Sequence, residues 1–166
     1  MYLKSFLKNE FIKLIPFQDK IIVVELLINF LNNAQQVRFV ELCYLNDVKL
    51  EEFKQINGVG FNFGLKNDLE LFFNSNYKSI VNTQLFSHQK ECLSVYVPFF
   101  VKNNLYMVLS LKITENVLNK ELLDDLDGIS FYCSILLDRI EYASNLQVAN
   151  QKLNSLNTSL EKMNKK

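Results

Sequence analysis

The sequence predicts an α+β fold: an antiparallel sheet with the N- and C-terminal helices on one face, followed by a coiled-coil helix. Three observations predict it. Residues 91–113, ECLSVYVPFFVKNNLYMVLSLKI, read as two strands around a tight polar turn. The segments 2–34 and from Asn119 onward carry apolar residues at helical spacing. The second of these segments is longer than an ordinary globular helix and keeps a narrow apolar seam to its end.

The first helix is predicted over residues 2–15, where Leu3, Phe6, Leu7, Phe11 and Leu14 share one stripe. Pro16 ends or bends it, since proline cannot donate to the helical ladder. A second helix follows at about 18–34, with Ile21, Val24, Leu27, Ile28 and Leu31 on its buried side and Asn32 and Asn33 closing it. Residues 37–45, VRFVELCYL, read as the first strand. Val40 and Leu42 are expected toward the helices, and Phe39, Glu41 and Cys43 the other way.

Asn46-Asp47 signals a turn. Residues 48–57 fit either a short helix or a strand ending in the turn Asn57-Gly58. The segment GVGFNFG that follows lacks the Lys-Ser/Thr of a phosphate loop and has no strand-to-helix context, so it reads as a flexible or bulged loop. Asp68 starts a short helix at 67–75, a short strand is expected at 79–83, and a loop at 84–91 holds the only histidine, His88.

In the strand pair, Val, Phe and Tyr dominate residues 93–101 and suit a pleated, half-buried surface. Lys102, Asn103 and Asn104 form the turn, where Asn tolerates the left-handed conformation. Alternation gives each strand two faces. Leu93, Val95 and Val97 share one face of the first strand, and Leu105, Met107, Leu109, Leu111 and Ile113 one face of the second. That wholly apolar face calls for helices on it. Ser94, Tyr96 and Pro98, with Tyr106, Val108, Ser110 and Lys112, make the opposite face. Polar groups among aromatic ones are what the wall of a small-molecule pocket offers. Glu41, Ser94, Tyr96, Ser110 and Lys112 are therefore the candidate ligand-binding residues. Glu41 is the most suggestive, because a carboxylate beside Phe39 and Cys43 is costly without a partner or a wet pocket. Lys112 is one candidate partner.

The final helix is expected from near Asn119 to the end. Leu122, Leu126, Ile129, Cys133, Leu136, Ile140 and Ala143 alternate at steps of 4 and 3. From Leu146 the series runs Ala149, Leu153, Leu156, Leu160 and Met163. The steps between Ala143 and Ala149 are 3 and 3, which reads as a stammer-like register change and the place for a two-state helix rearrangement. After residue 144 the helix is polar apart from this seam, so it needs a second helix, most simply a second copy in parallel. The expected homodimer interface joins the seam from Leu146 to Met163 with the N-terminal stripe Leu3, Phe6, Leu7 and Phe11.

Composition narrows the partners and the setting. Eighteen basic residues against 18 acidic ones give zero net charge, which argues against nucleic acid or an anionic membrane as the main partner. The longest apolar run, IIVVELLINFL, is broken by Glu25 and Asn29 and is shorter than the roughly 20 residues that span a bilayer. No membrane insertion and no cleavable signal are expected. Cys43, Cys92 and Cys133 form no CxxC and sit in apolar contexts, which predicts reduced, buried thiols and a cytoplasmic setting.

The order of elements, with SVYVPFFVKNNLYMVLSLKI, resembles GAF domains. Their usual pattern here is Ser, apolar, x, Val-Pro, a turn, then Gly-Val-Leu and an apolar strand. Ser94, Val97 and Pro98 match, Leu109 matches in type, and Met107 stands where the family usually has Gly. The resemblance covers about residues 18–143, with recognisable pattern over 91–140. It implies a GAF-like sensor domain over 1–143, with a ligand pocket on the sheet face away from the helices, and a coiled-coil signalling helix over 144–166. It further implies a dimeric regulatory domain that relays a small-molecule or conformational signal to an output domain such as a histidine kinase or diguanylate cyclase. The parallel orientation rests on it too. The alternatives are a ligand-free dimerisation module whose pocket is filled, a PAS-like sensor, or another helix-covered antiparallel sheet.

Catalysis and cofactors find little footing. His88 with Cys92 lacks a second convergent ligand, and no carboxylate is identifiable to orient the histidine. Methionine-sulfoxide reductases that share the GAF fold use clustered cysteines, whereas these three fall on different elements. The signatures of cyclic-nucleotide and bilin-binding members are not found. Glu121, Asp124, Asp125 and Asp127 read as a solvated first helical turn favoured by the helix dipole. Lys152, Lys162, Lys165 and Lys166 read as solvated coil flanks. Neither an enzymatic activity nor a cofactor is expected.

Overall fold

The computed structural model describes residues 9–45, 80–82, 92–114 and 118–164, and their side chains except those of Phe39, residues 41–45, 80–82, Cys92 and Thr114. The readings at Leu3, Phe6 and Leu7, over 46–79 and at His88 lie outside the described residues.

Helix α1 (Phe11–Leu14) stops at the turn Ile15-Pro16, where the Phe17 N–H donates to the Leu14 carbonyl at 3.1 Å. Asp19 starts α2 (Lys20–Asn32): its carboxylate accepts the Ile21 N–H at 2.8 Å. That bond satisfies one of the first-turn donors that have no partner inside the helix. The buried face of α2 is Val23, Val24, Leu27, Ile28 and Leu31. Val23 takes the place expected for Ile21, which packs at the margin of the core. The Asn32 side chain accepts the Val40 N–H at 3.1 Å and so ties the helix end to the sheet.

The sheet holds β1 (Val37–Leu45), β2 (Ile80–Asn82), β3 (Cys92–Val101) and β4 (Asn104–Thr114), all antiparallel, in the order β1-β4-β3-β2. The β3–β4 turn has two residues, not three. Lys102 and Asn103 have φ of 51° and 62°, and Asn104 already belongs to β4. Left-handed backbone at both positions gives the turn a twist that matches its strands.

Alternation fails at one point of this hairpin. Phe99 pairs with Met107 but Phe100 with Leu105, so Tyr106 is an extra residue in β4, a bulge. The side chains beyond it exchange faces. Tyr106, expected on the polar face, joins the core shared with the helices, while Leu105, expected beside Met107, is buried outside that cluster. Strand β1 has two similar irregularities, at Arg38 and at Cys43.

The last described helix, α3 (Lys120–Asn164), has 45 residues and a length of about 67 Å at 1.5 Å per residue. Asn119 caps it by accepting the Leu122 N–H at 2.8 Å. Leu122, Leu126, Ile129, Cys133, Leu136, Leu137 and Ile140 are buried. They meet the buried face of α2 and the strand residues Val95, Val97, Phe99, Leu109, Leu111 and Ile113 in one core. Burying each large side chain stabilises by about 1.5–3 kcal/mol. From Tyr142 to Asn164 every residue of α3 is exposed. Among the described residues no helix is long and apolar enough to cross a membrane.

Candidate functional site

The sheet register brings the five ligand-binding candidates together. Ile80, Tyr96, Ser110 and Glu41 lie on one line across all four strands, and Asn82, Ser94, Lys112 and Phe39 on the next. Residues directly opposite in an antiparallel pair share a face. Ser94, Tyr96, Ser110 and Lys112 thus form a patch two rungs deep, with Glu41 in register opposite Ser110 and diagonal to Lys112. The Glu41 side chain lies outside the described set.

Ser94, Tyr96 and Ser110 are all buried. Lys112 is half-buried, and its Nζ donates to Ser94 Oγ at 2.8 Å. Ser110 Oγ is buried with no hydrogen-bond partner among the described residues. A buried hydroxyl left without a partner costs about 1–3 kcal/mol. An ammonium group, two serine hydroxyls and a phenol can together hold a small polar or anionic molecule by hydrogen bonds.

Two further constellations were not among the sequence candidates. Ser130 and Ser134 lie one helical turn apart on α3 and are buried against β3. Ser130 Oγ donates to the Pro98 carbonyl, and the Phe100 N–H donates to Ser134 Oγ at 2.9 Å. Ser134 Oγ in turn donates to the Ser130 carbonyl at 2.7 Å. The helix thereby satisfies strand backbone beside the bulge, where the ladder is irregular.

The second constellation stands where α3 leaves the sheet. Glu141 accepts from Lys20 Nζ of α2 at 2.7 Å and from Lys102 Nζ of the hairpin turn at 3.1 Å. Lys20 Nζ also lies 4.8 Å from the centroid of the Tyr106 ring. Asp138, one turn earlier, accepts the Lys102 N–H. The hydrogen bonds from Lys20 and then Lys102 lower the Glu141 pKa from its ordinary 4.5 to about 2. A cleft of about 310 Å³ beside this latch is lined by Asp19, Lys20, Tyr106, Ile140, Glu141 and Ser144, among others. Glu141 and Lys20 are 121 residues apart in sequence, so no local pattern could announce the pair.

Of the expected interface residues that are described, Leu146, Ala149, Leu153, Leu156, Leu160 and Met163 are exposed on α3. The Phe11 ring lies 5.8 Å from that of Tyr132, centroid to centroid. Cys133 is a free thiol inside the core, and burial raises its pKa above the ordinary thiol range. No protein-family model matches the chain, and no curated protein matches it in sequence.

Proposed function

We propose that the chain is a cytoplasmic, GAF-like regulatory module. It dimerises through its terminal helices and passes a small-molecule or conformational signal along α3 to an output domain. The observation that carries this reading is the continuity of α3, which is buried on the sheet as far as Ile140 and exposed from Tyr142 onward. A displacement of the sheet-bound half moves the exposed half with it, because one hydrogen-bonded ladder joins them. The polar rungs on the other sheet face provide an input, with Ser110 Oγ as a group that a bound molecule could satisfy.

A second reading, a dimerisation module whose pocket face is filled, draws support from the burial of Ser94, Tyr96 and Ser110. Amide hydrogen exchange separates the two. In the regulatory reading, Tyr96→Ala and Ser110→Val each change exchange protection across residues 141–164, with secondary structure by circular dichroism unchanged. If both variants fold and both leave that segment's exchange as in the parent, the sheet face and the helix are uncoupled. The filled module then stands.

A further inference from the structure

Two apolar seams run along α3, on opposite faces. The inner one, ending at Ile140, is buried on the sheet. Each residue of an α-helix advances about 100° around the axis, so Leu146 lies about 240° beyond Ile140. The change is visible in the exposures, 6% at Ile140 and 62% at Leu146. The tail leucines therefore do not continue the inner seam, and the stammer expected between Ala143 and Ala149 is a step from one face to the other.

Traced backward on its own face, the tail seam extends into the sheet-bound half of the helix without a break. One half of its repeat is Tyr132, Arg139, Leu146, Leu153 and Leu160, seven residues apart. The other half is Ile135, Tyr142, Ala149, Leu156 and Met163, also seven apart and three residues after the first. All ten are exposed, Tyr142 at 71%. These are the a and d positions of an uninterrupted heptad repeat over residues 132–163, about 48 Å of helix.

Deepening the dimer reading above and resting on it, we infer that a second copy of this chain docks in parallel along this outer seam. The interface then begins at Tyr132 on the domain itself rather than in the tail. A strict 3–4 repeat fits a helix supercoiled alongside, not a sheet or a flat surface. The flanks point to a second copy. At the g positions Asn145, Lys152 and Ser159, and at the e positions Asn150, Asn157 and Asn164, only Lys152 is charged. No charge pattern there selects a different chain. Within the seam the one charge, Arg139, follows Asp138 at the flanking g position. In a parallel, in-register pair each Arg139 packs beside the other copy's Asp138, so two-fold symmetry supplies the counter-charge. The Lys102 N–H occupies only Oδ1 of that carboxylate.

Sedimentation of the full chain at micromolar concentration tests this. The parent protein sediments as a dimer. Ile135→Asp combined with Tyr142→Asp, both at exposed positions, weakens the dimer about 100-fold. Arg139→Leu tightens it about tenfold, because a polar a residue holds register at a cost in stability. Met163→Cys forms an interchain disulfide under mild oxidation that the parent does not form. A monomeric parent ends the dimer reading and this inference with it. A dimeric parent that survives Ile135→Asp with Tyr142→Asp overturns the extension of the seam onto the sheet-bound half and leaves the tail beyond Leu146 or the N-terminal stripe as the interface. A dimer in which Met163→Cys does not cross-link overturns the parallel register.

Discussion

Glu141 carries its charge against two ammonium groups, and that fixes the direction of its effect on stability. Its folded pKa is depressed, to about 2 from 4.5. The stability it contributes is therefore complete above the unfolded value and is lost as the pH falls through about 2. Urea denaturation of Glu141→Gln and its parent should show a gap at neutral pH of no more than about 1 kcal/mol, since the pair is partly solvated. That gap should close between about pH 5 and pH 2. Ser110 predicts the opposite sign. Removing a buried hydroxyl that has no partner among the described residues relieves its desolvation cost, so Ser110→Ala should raise the melting temperature by about 2–4 °C per kcal/mol recovered. A lowered melting temperature would mean that the hydroxyl is satisfied in the folded protein. Cys133, inside the core with a raised pKa, should resist alkylation in the folded protein and react once the chain is denatured. The burial of Cys133 is legible from its place in the apolar seam, but the roles of Glu141 and Ser110 are not legible in the local sequence. Those two depend on which remote groups the fold brings near.

At the scale of elements, the β3–β4 hairpin was readable to within a residue, because alternation and turn chemistry are local signals. The bulge was not. The pattern from Leu105 to Ile113 alternates without a break, and only the pairing with β3 shows Tyr106 as surplus. Its consequence reaches α3, where Ser130 and Ser134 serve the backbone of Pro98 and Phe100. Ser134→Ala should cost about 1–3 kcal/mol in chemical denaturation, because the buried Phe100 N–H loses this acceptor. Ser155→Ala, at an exposed position of the same helix, should stay within about 0.5 kcal/mol of the parent. Equal effects of the two substitutions would remove the bulge contact from the stabilising set. In sequence, two serines in a helix read as weak helix formers, since a hydroxyl announces no partner.

For the whole molecule, the decisive place is the junction at residues 138–142. Within about one helical turn, Asp138 and Glu141 fasten the hairpin turn and the start of α2, Ile140 ends the buried seam, and Tyr142 stands on the exposed one. A pull on the hairpin is therefore felt where α3 leaves the sheet. Lys102→Ala should raise amide exchange first in residues 138–145, with the inner core from Leu122 to Cys133 unaffected. Uniform loosening of all of α3 would instead show that the latch has no local role. By itself the sequence determined the α+β class, β1, the hairpin strands, the existence of a long terminal helix and the apolar face of the sheet. Those follow from periods of 2 and 3.6 residues and from turn and cap chemistry, all of which act over a few neighbours. Only the tertiary structure decided the phase of α3 against the sheet, and with it which seam is buried and which is exposed. It also decided the face taken by Tyr106 and the meeting of Lys20, Lys102 and Glu141. These depend on register and on contacts between residues far apart in the chain, which no local period encodes.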